Sequence, residues 1–133
     1  MKGFLNSMRQ AGVNGRQWAY ETENTLQGGY DATLRILKEH PDVDGIVYAV
    51  DLLAAGGIQA LTAKHVAIPQ RVAVIGINNS AYAEICNPRL TSLDNKRLDS
   101  SMMAARILID CLSGRPSTRR MMLLPDLIER DKT

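Results

Sequence analysis

Residues 71–80 read RVAVIGINNS. Val72, Val74 and Ile75 are β-branched and apolar, and the run predicts a strand buried in a sheet. It closes on Gly76-Ile77 and stops at Asn78, Asn79 and Ser80. Polar side chains at the carboxyl end of a buried strand stand where an open parallel sheet binds its ligands. Amides both donate and accept, so they suit hydroxyl-rich or heteroaromatic neutral ligands better than phosphates. A second compact run, GIVYAV at 45–50, meets its own polar group at Asp51. Helix capping is the competing explanation for Asp51 and Ser80, since each precedes a predicted helix and both residue types are favoured N-caps. For Asn78 the ligand role is the better reading.

Outward from these two strands, apolar periodicity switches repeatedly between helix and strand. Residues 3–12 predict a helix with Phe4, Leu5 and Met8 on one face and Gly12 at its stop. A short strand is expected around Gln17–Tyr20. Tyr30, Leu34 and Leu37 recur at helical spacing in 27–39, and HPD at 40–42 ends that helix. DLLAAGGIQALTAKH at 51–65 is helical again, whereas 80–86 predicts a short helix closed by Asn87-Pro88. LTSLDN at 90–95 reads as extended. Residues 97–112 carry Leu98, Met102, Ala105, Ile109 and Leu112 on one stripe, with Gly114 and Pro116 beyond them. The tail RRMMLLPDLIERDKT, interrupted by Pro125, is expected to be an edge strand. Alternation of this kind implies βαβ units: an α/β fold with a mostly parallel sheet and helices on both faces, Rossmann-like in three αβα layers.

The chain has 133 residues, enough for one domain. Sixteen basic against fourteen acidic side chains leave a formal charge of +2, too near balance to predict nucleic acid or an anionic membrane as partner of this segment. No apolar run approaches the roughly 18 residues that span a bilayer. With no secretion signal and only Cys86 and Cys111, a reduced, cytoplasmic setting is expected. The G-x-G-x-x-G turn of dinucleotide binding is missing, and so is a P-loop. The Gly pairs at 28–29 and 56–57 read as tight packing positions. His40 and His65 fall at helix carboxyl ends, where the dipole explains them, and no metal-ligand spacing joins them. No serine sits in a nucleophile elbow. The Met102-Met103 and Met121-Met122 pairs read as core or interface filling, and Arg119-Arg120 as a solvated strand start. No catalytic residue, metal or cofactor is predicted, and nothing points to an enzyme.

In order and spacing, the segments resemble the effector-binding core of lactose-repressor (LacI/GalR) family transcription regulators. The matching stretches are VDGIVYAVDLLAAGGIQAL, IPQRVAVIGINNS, NPRLTSLDNKRLDSSMMAARILIDCLSG and LLPDLIERDKT. The family pattern is a strand ending in Asn-Asp, then V-P-x-D-V-x-V-x-G-[FY]-D-[DN], P-x-L-T-T-[IV] and L-x-P-x-L-[IV]-x-R-x-[ST]. GF in the first helix and GGYDA opening the second fit as well, so the resemblance covers essentially the whole chain. It implies the C-terminal lobe of a type I periplasmic-binding-protein-like fold, with Asn24, Val50, Asp51, Asn78 and Asn79 at the effector. Val50 and Asn78 replace the family's usual asparagine and aspartate, and Asn24 stands where a stacking ring is common.

The resemblance implies further that residues 1–89 and 121–133 build that lobe, with 121–130 returning to it as a strand. Residues 96–113 would be a helix of a second lobe absent from this chain, as would the DNA-binding headpiece. An exposed apolar stripe favours association, so the helix is expected to be swapped, docked on a neighbour or disordered. Family dimers pair through positions matching Ala55, Ile58, Tyr82 and Cys86, with ordinary core packing as the alternative for each. The function implied is small-molecule control of a bacterial repressor acting as a homodimer, by a shift in lobe arrangement. Its effector would be a sugar, sugar phosphate or purine-like molecule, and DNA would be touched only through the headpiece. The alternative is a sugar-binding transport component of the same bilobed shape.

Overall fold

The structure, a computed structural model, describes residues 2–116 and 120–131. Arg119 of the basic pair and residues 132–133 of the expected lobe segment 121–133 lie outside the described residues. Three strands follow one another in space as in sequence: β1 (Gly45–Val47), β2 (Ala73–Ile77) and β3 (Thr91–Asp94), with β4 (Asp126–Ile128) at the edge. β1–β2 and β2–β3 are parallel, in registers Ile46↔Val74 and Gly76↔Ser92, while β4 runs antiparallel to β3 with Asp94 opposite Asp126. This is the mostly parallel α/β sheet that the alternation predicts. Pro125 stands just before β4, an edge position that tolerates the missing donor.

Helices α1 (Lys2–Gln10), α2 (Leu26–Glu39), α3 (Asp51–Ala63), α4 (Ala81–Ile85) and α5 (Arg97–Leu112) complete the fold. The expected strand at 17–20 is instead a 3-10 turn, Gly15–Trp18, running into extended chain. Local bonds win over β propensity there. The Asn14 side chain accepts from the Arg16 amide, and Trp18 stacks on His40 at 4.3 Å between ring centres. His40 thus takes part in an aromatic contact besides ending α2. His65 ends α3 by its backbone, at a left-handed φ of 55°, with Val66 N donating to Leu61 O and His65 N to Thr62 O. That is the double bond pattern usually granted to glycine. Gly114 closes α5 in the same way at φ 66°.

The core lies between the sheet and the α2–α3 pair. Leu53, Ile58, Leu61, Val72, Val74 and Leu90 are buried in it, each contributing about 1.5–3 kcal/mol by leaving water. The opposite sheet face is less covered: Ile75 and Ile77 are half-buried, and Val47 is 61% exposed. Both Gly pairs do the packing work expected of them. A Cβ on Gly29 would lie 2.1 Å from Leu53 O, and one on Gly56 only 1.9 Å from Leu26 O. Inside this contact Thr33 donates to Gly29 O at 2.7 Å, and its hydroxyl meets that of Tyr48 at 2.6 Å. Burial pushes the Tyr48 phenol up to about 12. By contrast α1 and α5 bury no residue at all. Among the described residues no helix is long and apolar enough to cross a membrane.

Candidate functional site

Because β1, β2 and β3 are parallel, their carboxyl ends open on one edge of the sheet. Asp51, Asn78 and Asn95 follow these three ends in turn. Asp51 is the first residue of α3, whose N-cap, Val50, supplies no side-chain bond. The carboxylate does not cap its own helix. It is buried, 1% exposed, and accepts from Ser80 N and from Ser92 Oγ, both at 2.6 Å. A side chain on Gly76 would meet the Oδ1 atom at 2.3 Å, so the strand has to pass bare beneath it. The capping expected of Asp51 is therefore not what its carboxylate does: it bonds the residue before α4 and the strand β3 instead. Ser80 is the N-cap of α4 through its backbone, without a side-chain bond.

Above this anchor the rim turns. Asn78 and Asn79 have φ of 103° and 47°, the left-handed region that costs a non-glycine residue free energy. Asparagine bears that cost better than most. Asn78 N donates to Leu93 O at 2.8 Å, and Asn79 N to Ser92 Oγ at 3.0 Å. The Asn78 Oδ1 atom accepts from the Asn95 amide at 3.1 Å. The Asn79 side chain donates to Asp94 Oδ2 at 3.3 Å and accepts from Arg130 Nη2 at 2.7 Å. The Lys96 backbone N–H, followed by the Asn79 amide, holds the Asp94 carboxyl below the usual carboxylate range. The Lys96 ammonium pairs with Asp126, which pushes its own pKa up.

Of the residues that the sequence nominates, Asp51, Asn78 and Asn79 belong to one connected network. Val50 is half-buried beside it and packs on the core, and Asn24 is exposed two residues before α2. Among the four pairing positions, Ala55 and Ile58 lie in the protein's own interior. Cys86 is half-buried against the core, and Tyr82 is exposed. Ser92, Asn95, Asp94 and Arg130 are site residues that sequence reasoning did not single out. Ser92 had a weak signal, as a polar side chain in a segment read as extended between Leu90 and Leu93 needs a partner if it is buried. Chemically, the rim offers amide donors and acceptors on a rigid base. Among the described residues no group of three or more His, Cys, Asp or Glu is arranged to hold a metal ion.

Residues 1–133 match the periplasmic binding protein-like domain family. The regulator RegA of Clostridium saccharobutylicum is 29% identical over 133 residues, covering 98% of this chain and 40% of that protein. The repressor PurR of Glaesserella parasuis serovar 5 (strain SH0165) is 28% identical over 109 residues, covering 81% and 32%. Among solved structures, the regulator CelR in complex with cellobiose superposes with a TM-score of 0.84 at 27% identity, covering 99% of this chain and 41% of CelR. A LacI family regulator from Arthrobacter sp. FB24, in complex with lactose, gives a TM-score of 0.85 at 27% identity, covering 99% and 50%. The chain spans about two fifths of the length of the longest-matching curated relatives.

Proposed function

The chain belongs to the periplasmic binding protein-like domain family, as LacI-type transcription regulators do, and on that premise we propose that it is the effector-binding part of such a regulator. The observation that carries this reading is the rim. Parallel strand ends bring together an amide pair, Asn78 and Asn95, beside Asn79 and Ser80, whose backbone is held by the buried Asp51 carboxylate through Ser92 and directly. The relatives named above are all regulators, which supports the same conclusion.

The mechanism in this reading is a population shift. A small molecule held against the rim favours one arrangement of two lobes, and DNA affinity elsewhere in the whole protein follows. Residues 96–113 belong to the second lobe, which gives the uncovered α5 its partner. The effector is a neutral hydroxyl-rich or heteroaromatic molecule, since Asn78 supplies an amide where the family usually has a carboxylate. Cellobiose and lactose in the solved relatives belong to the first of these classes. Pairing of two copies falls to Tyr82 and Ile85 on the exposed side of α4, because Ala55 and Ile58 are already buried. Such a regulator works in the cytoplasm.

A thermal-shift screen of the whole protein against disaccharides, sugar phosphates and purines tests this. A true effector at a hundredfold excess over its Kd stabilises by about 2.7 kcal/mol, a shift of several degrees for a domain of this size. Loss of that shift in Asn78→Ala places the ligand at the rim. A panel in which nothing raises Tm removes the reading.

A further inference from the structure

Arg130 follows β4, the strand farthest in sequence from the rim, yet its guanidinium reaches the rim. Its Nη2 donates to Asn79 Oδ1 at 2.7 Å and its Nη1 to Leu90 O at 2.9 Å, while its backbone N donates to Thr91 Oγ1 at 3.1 Å. Glu84 of α4 lies 3.9 Å away, and the arginine side chain is only 11% exposed. The group it holds is one of two consecutive residues in left-handed backbone geometry. Strain of that kind persists only where the surroundings over-determine it.

We propose that Arg130 is a positioning residue for the rim, holding the Asn78–Asn79 pair in its left-handed turn and tying that turn to β4. Its two bonds point to different partners, the start of β3 and the rim, which a planar fork can span and a single ammonium cannot. Asn79 donates in turn to Asp94, and Asp94 faces Asp126 of β4 in register. The amide is bracketed by both strands of the antiparallel pair. A displacement of β4 relative to β3 therefore moves Asn79, and a ligand drawing on Asn78 or Asn95 acts back on β4. The proposal rests on the effector reading for its consequence, but not for its geometry.

The test compares the full chain with Arg130→Gln, Arg130→Lys and Asn79→Ala. Backbone and side-chain amide NMR shifts of Asn78, Asn79 and Asn95 are read without ligand, and cellobiose, lactose and hypoxanthine are then titrated calorimetrically. Arg130→Gln is expected to move the Asn78 and Asn79 signals away from left-handed values while those of Leu61 and Val72 stay. It should also weaken whichever probe binds by roughly tenfold, the equivalent of one lost net hydrogen bond. Arg130→Lys should recover Tm more fully than affinity; a merely structural arginine would recover both together. Unmoved Asn78 and Asn79 signals in folded Arg130→Gln overturn the proposal. If that variant fails to fold, Asn79→Ala breaks the same contact from the other side, and an unmoved Asn78 overturns it equally. Failure of every probe on the unaltered protein counts against the effector reading alone, because the NMR arm needs no ligand.

Discussion

Ser92 donates its hydroxyl hydrogen to Asp51 Oδ1 at 2.6 Å, across 41 residues of sequence and with both side chains buried. The second carboxylate oxygen takes the Ser80 amide, so neither lone-pair set faces water. Asp51→Asn would turn an amide donor toward one of two donors. Removing one half of a buried, charge-assisted pair costs about 3 kcal/mol, whereas Ser92→Ala, which leaves the Ser80 bond intact, should cost about 1.5 kcal/mol. Urea midpoints at unchanged slope measure both. A larger loss for Ser92→Ala would mean that the anchor is not the carboxylate.

The α2–α3 contact sets a second expectation, opposite in sign to that for an open glycine of α1. Gly56→Ala forces a methyl into Leu26 O at 1.9 Å, and a backbone carbonyl cannot swing aside. The helices must separate, at a cost of about 2–3 kcal/mol. Gly3→Ala in α1 meets nothing within 4 Å and gains helix propensity, worth about 0.5–1 kcal/mol. Thermal unfolding of the two variants should bracket the parent protein.

Acid sensitivity follows from the bonds to Asp94. Its folded pKa is depressed by the Lys96 amide and the Asn79 side chain. The resulting stability is present above the unfolded carboxylate value of about 3.9 and is lost as pH falls through the folded one. Lys96 is shifted up by Asp126, so its share is lost only as pH rises through the folded value, above the unfolded lysine value of about 10.4. A gap in urea midpoint between the parent and Asp94→Asn should therefore hold from pH 5 to 8 and close below about pH 4. A gap that persists unchanged in acid would rule the Asp94 bonds out as its source.

The sheet and the rim were legible in the sequence to different degrees. Compact apolar runs rich in β-branched residues, at 45–50 and 72–77, have one good reading, and strand–helix alternation makes neighbouring strands parallel. Polar residues after such runs then converge by geometry alone. Their bonding partners are another matter. Ser92 and Arg130 meet Asp51 and Asn79 only through pairings 41 and 51 residues apart, which no local pattern encodes. The 3-10 turn at 15–18 was misread for a related reason. Trp18 and Tyr20 have strand propensity, but both rings contact His40 at the far end of α2. Ala55 and Ile58 show the same limit, because a stripe of small and apolar residues reads alike whether it meets its own core or a second copy.

Cysteine reactivity separates two environments. Burial, and after it the Asp51 carboxylate, pushes the Cys86 thiol up, while Cys111 lies exposed on α5. The thiolate is the reacting form. With excess aromatic disulfide at pH 8, one thiol per chain should react promptly and one slowly, and Cys111→Ser should abolish the prompt phase alone. Loss of the slow phase in that variant would reverse the assignment.

The helix α5 supplies the sharpest contrast in stability. None of its residues is fully buried within this chain, and its two ends lie open: Leu98 is 73% exposed and Leu112 is 79% exposed. Substituting either by Ala removes no buried surface here, so the change in unfolding free energy should stay within about 0.5 kcal/mol. Leu61→Ala opens a cavity at a position with no exposure and should cost about 3 kcal/mol. The same two α5 variants, placed in a whole regulator, should each cost about 1.5–3 kcal/mol if a second lobe covers the helix. Equal, negligible effects in both contexts would show that α5 faces water in the whole protein too, and would remove residues 96–113 from the proposed second lobe.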